Sequence, residues 1–227
     1  MTTIAENVAL IRRRIATLES KYDRPAGSVT LLGVSKRQSV ASIREALAAG
    51  LSEFGENYVQ EAEEKIRALA TARCHWHFIG PIQSNKTRAI AEQFAWVHSV
   101  DRSKTARRLS EQRPAGLPPL NVCVQVNLSG ESAKSGVAAA EAETLCAAVA
   151  ELPRLTLRGL MTIPAPEADF QRQRQTFRRL ATLHSDLRRR LPQMDTLSMG
   201  MSQDYEAAIA EGATLIRLGT ALFGPRD

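Results

Sequence analysis

One lysine of this 227-residue chain occupies a position where a reactive amine is expected. Lys36 directly follows the apolar run 29–35, which has the composition of a buried strand. The other five lysines are on predicted helices, turns or loops: Lys21, Lys65, Lys86, Lys104 and Lys134. Desolvation at a strand end favours the neutral amine, which is the form that attacks a carbonyl to make a Schiff base. The alternative is a lysine that extends from the strand end into water.

Two segments near the C-terminus have the features of a phosphate site. Residues 198–202 read Ser-Met-Gly-Met-Ser and end a predicted strand, and Ser202 is placed to cap the helix that follows. The next strand carries Gly219, which allows close backbone approach, and Thr220, which adds a hydroxyl donor. The loops after the last two strands of α/β barrels often bind phosphate. Each segment alone is also typical of a capped tight turn, but together with the lysine they indicate a phosphorylated aldehyde as ligand.

Arg217 lies two residues before Gly219, so the two positions face the same side of the predicted strand. If that side is the interior of a barrel, the guanidinium can reach the ring nitrogen of pyridoxal 5′-phosphate (PLP), a phosphorylated pyridine aldehyde. A guanidinium only donates hydrogen bonds, so it would leave the ring nitrogen unprotonated and weaken the electron sink on which most PLP catalysis depends. The alternative is a surface arginine paired with a helix carboxylate.

Short apolar runs and helical patterns alternate along the chain after an amphipathic helix over 3–20. The eight predicted strands cover 29–35, 53–55, 75–80, 96–100, 120–128, 157–163, 196–201 and 215–223. The helical patterns between them cover 40–49, 58–70, 84–93, 102–112, 137–151, 168–190 and 203–211. Ser39, Asp101 and Ser202 are predicted N-caps, and Gly50 and Gly212 are predicted to follow helix ends.

Strict alternation of strands and helices requires a parallel sheet, and eight such units can close into a barrel. We therefore predict the α/β class, with a single (β/α)8 TIM-type barrel domain over residues 1–227 and an extra N-terminal helix. The alternative is an open doubly wound sheet. It usually carries a glycine-rich phosphate turn after the first strand, and neither GxGxxG nor GxxxxGK[ST] occurs here.

The composition is that of an ordinary globular protein, with 44% hydrophobic and 24% charged residues. No apolar run approaches the roughly 18 residues that span a bilayer, and the N-terminus lacks the apolar stretch of a signal peptide. We expect no membrane association and a cytoplasmic location. The cysteines Cys74, Cys123 and Cys146 show no CxxC spacing, which fits buried thiols in a reducing compartment.

The net charge of +6 raises the question of nucleic-acid binding. The densest group of arginines falls in the predicted helix 168–190, beside apolar residues at core-facing spacing. No aromatic residues alternate with these arginines to stack on bases, so a solvated helix face is favoured and no nucleic-acid partner is expected. The sequence leaves open whether this helix or Lys134 forms a second PLP or docking site.

Seven segments across nearly the whole chain resemble the pyridoxal phosphate homeostasis protein family, which is related to the N-terminal barrel of alanine racemase. They are GVSKRQS (33–39), FGENYVQE (54–61), HWHFIGPIQSNK (75–86), VNLSGESAKSG (126–136), RGLMTI (158–163), LSMGMSQDYEAAI (197–209) and IRLGTALFG (216–224). The cofactor-binding residues that the resemblance implies are Lys36, Asn57, Met201, Ser202, Arg217, Gly219 and Thr220.

The resemblance assigns a role to each part of this set. It implies that PLP forms an aldimine with Lys36 and that Asn57 lies beside the cofactor at the end of the second strand. It places the segments 201–202 and 219–220 at the phosphate and Arg217 at the pyridine nitrogen. It further implies a monomer that controls PLP supply, without an established catalytic turnover.

Two PLP-linked functions remain open at this point. The first is a carrier or buffer that binds PLP reversibly and passes it transiently to PLP-dependent apo-enzymes. The second is a weak amino-acid racemase, because racemisation benefits from an acid/base group on each face of the substrate. In related racemases a tyrosine from an additional β-domain fills one role, and this chain, ending at Asp227, leaves no room for that domain. Tyr58, beside Asn57, is the least improbable substitute.

A third function, a metal-dependent hydrolase, is suggested by His75 and His77, whose imidazoles share one face of a predicted strand. Such sites need further ligands on other strands. Only His98 and His184 remain as histidines, and His184 lies within a predicted helix. Structural histidines are therefore favoured, and no metal site is expected.

Overall fold

The computed structural model describes residues 2–129 and 135–224, and Lys134 lies outside the described residues. The strands are β1 (Thr30–Val34), β2 (Glu53–Glu56), β3 (His75–Phe78), β4 (Trp96–Val100), β5 (Leu120–Asn127), β6 (Val137–Ala138), β7 (Leu155–Met161), β8 (Thr196–Ser198) and β9 (Leu215–Leu218). The α-helices are α1 (Ile4–Lys21), α2 (Val40–Ala48), α3 (Val59–Ala68), α4 (Thr87–Gln93), α5 (Ser103–Gln112), α6 (Ala142–Ala150), α7 (Phe170–Arg188), α8 (Tyr205–Ala210) and α9 (Thr220–Phe223). Short 3-10 turns precede α4 and α6.

Eight of these strands form a closed parallel barrel in the order β1, β2, β3, β4, β5, β7, β8, β9. The ring closes because β9 pairs with β1, where Leu32 lies opposite Arg217 and Gly33 opposite Leu218. The two-residue strand β6 pairs with the carboxyl end of β5 and is an addition to the ring. The predicted (β/α)8 barrel is confirmed, and closure excludes the open doubly wound sheet.

Helix α1 is the extra N-terminal helix, and it packs on the barrel through a stripe of apolar residues. Thr3 and Glu6 form the capping box that begins it. Its buried face consists of Val8, Ile11, Ile15 and Leu18. Near its end the buried carboxylate of Glu19 accepts hydrogen bonds from the backbone N–H groups of Gly27 and Val29. These bonds fix the path of the chain into β1.

Helix α7 buries one face against the barrel and places its arginines on the other, solvated face. Phe177, Leu180 and Leu187 are buried against the barrel. Arg174 and Arg178 on the outer face form ion pairs with Glu211 of the neighbouring segment. The solvated helix face predicted for this region is what the structure shows. Among residues 2–129 and 135–224, no helix is both long enough and apolar enough to cross a membrane.

The segment predicted as a strand over 215–223 is two elements. Strand β9 ends at Leu218, and residues 220–223 form the short helix α9, with Gly219 at its N-cap position. The apolar run was read as one strand because Ala221, Leu222 and Phe223 continue the hydrophobic pattern, which does not separate a strand from a short buried helix.

Three of the five predicted helix caps are confirmed. Ser39 accepts a hydrogen bond from the backbone N–H of Ser42, and Gly50 and Gly212 follow their helices with φ of 85° and 98°. The prediction for Asp101 is wrong, because Arg102 is the N-cap of α5 and donates to the Asp101 carboxylate.

The predicted cap at Ser202 is also wrong. Helix α8 begins at Tyr205 with Asp204 at the N-cap position. The Asp204 carboxylate turns back and accepts a hydrogen bond of 2.5 Å from the backbone N–H of Met201. The loop therefore runs two residues further than the sequence indicated, and it leaves Ser202 exposed on the barrel rim.

The thiols of Cys123 and Cys146 are buried, as predicted, whereas Cys74 is only half-buried. Burial raises the pKa of the Cys146 thiol to about 12 and raises that of Cys123 as well. Neither thiol is in the reactive thiolate form at neutral pH.

Strands β7 and β8 approach each other closely at Gly159. A Cβ atom at this position would lie 1.7 Å from the backbone carbonyl oxygen of Thr196. We expect Gly159→Ala to force the strands apart and lower the free energy of unfolding by about 3 kcal/mol. Chemical unfolding measures this change. Gly116→Ala is the matched control, because nothing lies within 4 Å of its Cβ position. Equal stability of the two variants would contradict this packing.

Candidate functional site

A cavity of about 160 Å³ lies at the carboxyl end of the barrel strands. Its lining includes all seven residues predicted for the site: Lys36, Asn57, Met201, Ser202, Arg217, Gly219 and Thr220. Val34, Ile79 and Ile163 complete it with apolar surface. Larger cavities exist elsewhere, but in α/β barrels the working residues sit at this end of the strands. The structure therefore brings together, in one small cavity, residues that are up to 184 positions apart (220 − 36).

Strand β1 delivers Lys36 to the cavity. The strand ends at Val34, and the backbone N–H of Ser35 still donates to the carbonyl of Gly55 on β2 at 3.0 Å. Lys36 follows half-buried on the rim. Arg37 then adopts a φ of 60°, in the left-handed region that L-residues rarely enter. The chain therefore turns sharply directly after the lysine.

A buried ionic cluster holds the residues on both sides of Lys36. The Lys65 ammonium donates to the Ser35 carbonyl at 2.6 Å, to Glu56 Oε1 at 2.8 Å and to Glu61 Oε1 at 2.6 Å. The Ser35 hydroxyl also donates to Glu56 Oε1. The same Glu61 oxygen accepts from the backbone N–H of Arg37. Two carboxylates and one ammonium thus fix the backbone before and after Lys36.

Sequence reasoning missed this cluster. The sequence pattern places Lys65 only on a helix, yet it is 4% exposed. Burial raises the pKa of Glu56, and the charge of Lys65 opposes that rise. The available signal was the spacing of Glu61 and Lys65, which is four residues on one helix, together with Glu56 at the end of the second strand.

Asn57 follows β2 and has one polar atom without a partner. Its side-chain oxygen Oδ1 is buried and makes no hydrogen bond within the described residues. Buried polar atoms are nearly always hydrogen-bonded, and an exception at a cavity wall indicates a site for a ligand donor. Because Asn57 lines the cavity, this acceptor is a candidate partner for a donor group of a bound molecule.

Arg217 reaches the cavity from the interior of the barrel. It is 4% exposed, and it donates from Nη1 to the Ser198 hydroxyl at 2.7 Å and from Nη2 to the Thr162 carbonyl at 2.8 Å. Burial lowers its pKa to about 10, so it remains a cation at neutral pH. The alternative of a surface arginine paired with a helix carboxylate is excluded. Neither Ser198 nor Thr162 was predicted to contact it.

The loops after β8 and β9, which follow β1 around the ring, form a further part of the wall. Gly200 has a φ of 98°, and a Cβ there would lie 2.7 Å from the Ala208 side chain, so the turn before Met201 requires glycine. Thr220 begins helix α9. The first N–H groups of a helix have no intrahelical acceptor, and here they belong to residues at the cavity wall. Backbone donors and the hydroxyls of Ser202 and Thr220 suit an anion on this side.

The histidines lie away from this cavity, toward the other end of the barrel. His77 Nε2 donates to Glu53 Oε2 at 2.7 Å, His77 Nδ1 lies 2.9 Å from His98 Nε2, and the exposed His75 contacts the other Glu53 oxygen at 2.9 Å. His184 is buried on α7. Within the described part of the chain, no group of three or more His, Cys, Asp or Glu residues has the arrangement of a metal site. None of the three tyrosines lines the cavity that contains Lys36.

Comparisons with known proteins match the whole barrel. The family model for the alanine racemase N-terminal domain matches residues 6–227. The chain is 60% identical to the pyridoxal phosphate homeostasis protein of Pseudomonas aeruginosa, over 100% of this chain and 97% of that protein. It is 53% identical to the protein of the same name from Escherichia coli K12, over 100% of this chain and 98% of that protein. PipY from Synechococcus elongatus PCC7942, solved with PLP bound, is 39% identical with a TM-score of 0.83, covering 94% of this chain and 100% of that one.

The ionic cluster beneath Lys36 predicts the effect of removing its cation. Lys65→Met leaves Glu56 buried without a counter-charge, so we expect a loss of about 3 kcal/mol in the free energy of unfolding at pH 7. Lys104→Met is the control, because Lys104 is exposed on α5 and its loss changes stability by less than about 0.5 kcal/mol. Adding Glu56→Gln to Lys65→Met should restore part of the loss. Chemical unfolding of the four proteins tests this, and equal effects at the two lysines would contradict it.

The buried histidines predict how stability depends on pH. Burial lowers the pKa of His77 and His98, and lowers that of His184 to about 4. The unfolded chain therefore binds protons below a pH of about 6.5 that the folded chain does not bind, and stability falls as the pH falls. Three such groups give a slope of up to about 4 kcal/mol per pH unit. Unfolding between pH 7.5 and 5 measures it. His184→Asn should reduce the slope, and a flat profile would contradict the assignment.

Proposed function

The chain belongs to the pyridoxal phosphate homeostasis protein family, and we propose that it binds PLP in the barrel-mouth cavity and acts as an intracellular carrier or buffer of this cofactor. The observation that carries the proposal is the convergence of Lys36, the orphaned oxygen of Asn57, Arg217 and the two loops after β8 and β9 on one cavity. The PLP-bound structure of PipY and the names of the two curated relatives support the ligand.

We propose that Lys36 holds the aldehyde as a Schiff base. When bound, PLP would supply an aldehyde that the Nζ atom of Lys36 could hold covalently and reversibly, with water released on capture and consumed on release. The cluster of Glu56, Glu61 and Lys65 holds the backbone on both sides and therefore fixes the point from which the Lys36 side chain extends.

The remaining contacts match the two polar ends of PLP. The phosphate suits the segments 201–202 and 219–220, which offer backbone N–H groups and two hydroxyls. The pyridine nitrogen suits Arg217, which donates hydrogen bonds and accepts none. Asn57 lies beside the ring, where its orphaned oxygen can accept from the bound molecule. PLP supplies an aldehyde for covalent capture and a ring that acts as an electron sink when its nitrogen is protonated.

Two features support holding the cofactor rather than rapid turnover. A guanidinium at the ring nitrogen leaves that nitrogen unprotonated, which weakens the electron sink. In addition, Tyr58 lines a neighbouring pocket and is 52% exposed, so the best tyrosine candidate for a second acid/base group is outside the Lys36 cavity. A racemase would incorporate solvent deuterium at Cα of alanine, and we expect no exchange above the rate of free PLP.

PLP titration tests the proposed binding site. We expect added PLP to produce the absorbance band of a Schiff base, and Lys36→Ala to abolish the band and weaken binding by roughly tenfold or more. Lys104→Ala is the control and should leave both unchanged. A second stage mixes the loaded chain with an apo-enzyme that needs PLP and follows recovery of its activity. A chain that takes up no PLP, or Lys36→Ala that retains the band, would contradict the proposal.

A further inference from the structure

A continuous chain of polar side chains runs through the barrel interior behind Arg217. The guanidinium contacts the Ser198 hydroxyl at 2.7 Å, and Ser198 contacts His98 Nδ1 at 2.8 Å. His98 Nε2 lies 2.9 Å from His77 Nδ1, and His77 Nε2 lies 2.7 Å from Glu53 Oε2. Ser198, His98, His77 and Glu53 lie on four different strands. Together they extend from the cofactor cavity to the opposite mouth of the barrel.

The Glu53 end of this chain can only accept hydrogen bonds. Burial acts to raise the pKa of Glu53, but the hydrogen bonds from His77 and His75 outweigh it and lower the pKa to about 2. A carboxylate without a proton has no donor. His77 must therefore carry its proton on Nε2 and donate it to Glu53.

The proton on His77 Nε2 determines the positions of the other protons in the hydrogen-bond chain. Burial lowers the pKa of both His77 and His98, so each ring is neutral and has a single N–H group. With Nε2 protonated, His77 Nδ1 accepts, so His98 must donate from Nε2 and accept at Nδ1. The Ser198 hydroxyl then donates to His98, and its lone pair accepts from Arg217. Every hydrogen bond points from the cation at one end to the anion at the other.

We propose that Glu53, His77, His98 and Ser198 are positioning residues for Arg217, and that the single direction of their hydrogen bonds fixes where its guanidinium points in the PLP site. The part of this proposal that concerns the cofactor rests on the proposed PLP binding. Chains of hydrogen bonds in a low-dielectric interior polarise one another, so the acceptor strength at Ser198 depends on the charge of Glu53. Glu53 therefore influences Arg217 although the two side chains make no hydrogen bond with each other.

The surroundings of the chain fit this arrangement. Ser198, His77 and His98 are each at most 1% exposed, so water does not compete for their hydrogen bonds. The Glu53 end lines a cavity of about 600 Å³ at the amino-terminal mouth, where water can solvate the carboxylate. Arg217 has a second fixed partner in the Thr162 carbonyl, so the guanidinium is held at two of its nitrogens. Burial, and then the charges of His77 and Arg217, lower the pKa of His98 and keep the ring neutral.

The tautomers of the two rings test the direction of the chain without any cofactor. Histidine labelled with ¹⁵N distinguishes protonated from unprotonated ring nitrogens, and His77→Gln and His98→Gln assign the signals. We expect both His77 and His98 to be neutral with the proton on Nε2 at pH 7. A proton on Nδ1 of either ring, or a charged ring, would overturn the proposal even if the protein binds PLP.

A double-mutant cycle tests whether the chain acts through Arg217. We expect Glu53→Ala to weaken PLP binding by about two- to thirtyfold, the usual range for coupling through a contiguous network. In an Arg217→Met background the same substitution should change PLP affinity by less than about twofold, because the group that it positions is gone. An equal effect in both backgrounds, or no effect in the first, would overturn the proposal.

Two further variants separate positioning from a general loss of structure. His75→Ala removes the other partner of Glu53 and lies outside the chain to Arg217, so it should leave PLP affinity unchanged. Glu53→Gln keeps an oxygen that accepts from His77 but removes the charge and adds an amide donor, so it should weaken PLP binding less than Glu53→Ala does. If His75→Ala weakens binding as much as Glu53→Ala, the chain has no specific role. If the unsubstituted protein binds no PLP, the proposed function fails, while the tautomers still decide the direction of the hydrogen-bond chain.

Discussion

The pairing of β9 with β1 is the constraint on which the site depends. Four residue pairs, from Thr30 opposite Leu215 to Gly33 opposite Leu218, close the barrel in one register. In a parallel pair both strands end at the same mouth, so Lys36 and the Gly219–Thr220 turn meet although most of the chain separates them. A slip of one residue would exchange inward and outward side chains and remove Arg217 from the interior. The lysine, the guanidinium and the anion-binding loops are thus set by a single pairing.

The protein buries more charge than a hydrophobic core normally tolerates, and each of these charges is compensated locally or through a chain of hydrogen bonds. Lys65 is matched by Glu56 and Glu61 beneath Lys36. Arg217 has no carboxylate within hydrogen-bonding distance among the described residues; the charge of Asp204 acts on it at longer range, and a chain of neutral groups links it to Glu53. An unpaired buried charge is costly, so both arrangements are expected to constrain the backbone more tightly than apolar packing would.

The parts of the fold that follow from local pattern were predictable from the sequence. Alternating strands and helices predicted the barrel, and Lys36 at a strand end with the turns after the last two strands predicted most of the residues that share the cavity. The place of Asn57 followed only from the family resemblance. The ends of elements were less predictable: Ser202 has the right residue type for a cap, but Asp204 takes that position because its carboxylate bonds to Met201 N–H. The two polar networks were not predictable at all. Their members, such as Lys65 and His98, become neighbours only after the barrel closes, and residue type alone assigned them to a helix and to structural histidines.

The most direct test of the account is the location of the covalent bond. The PLP-loaded chain is reduced with borohydride, digested, and its peptides are analysed by mass. The account predicts one pyridoxyl group, on the peptide that contains Lys36, and its loss from that peptide in Lys36→Ala. A pyridoxyl group that is instead confined to another lysine would show that the barrel-mouth cavity is not where the aldehyde is held.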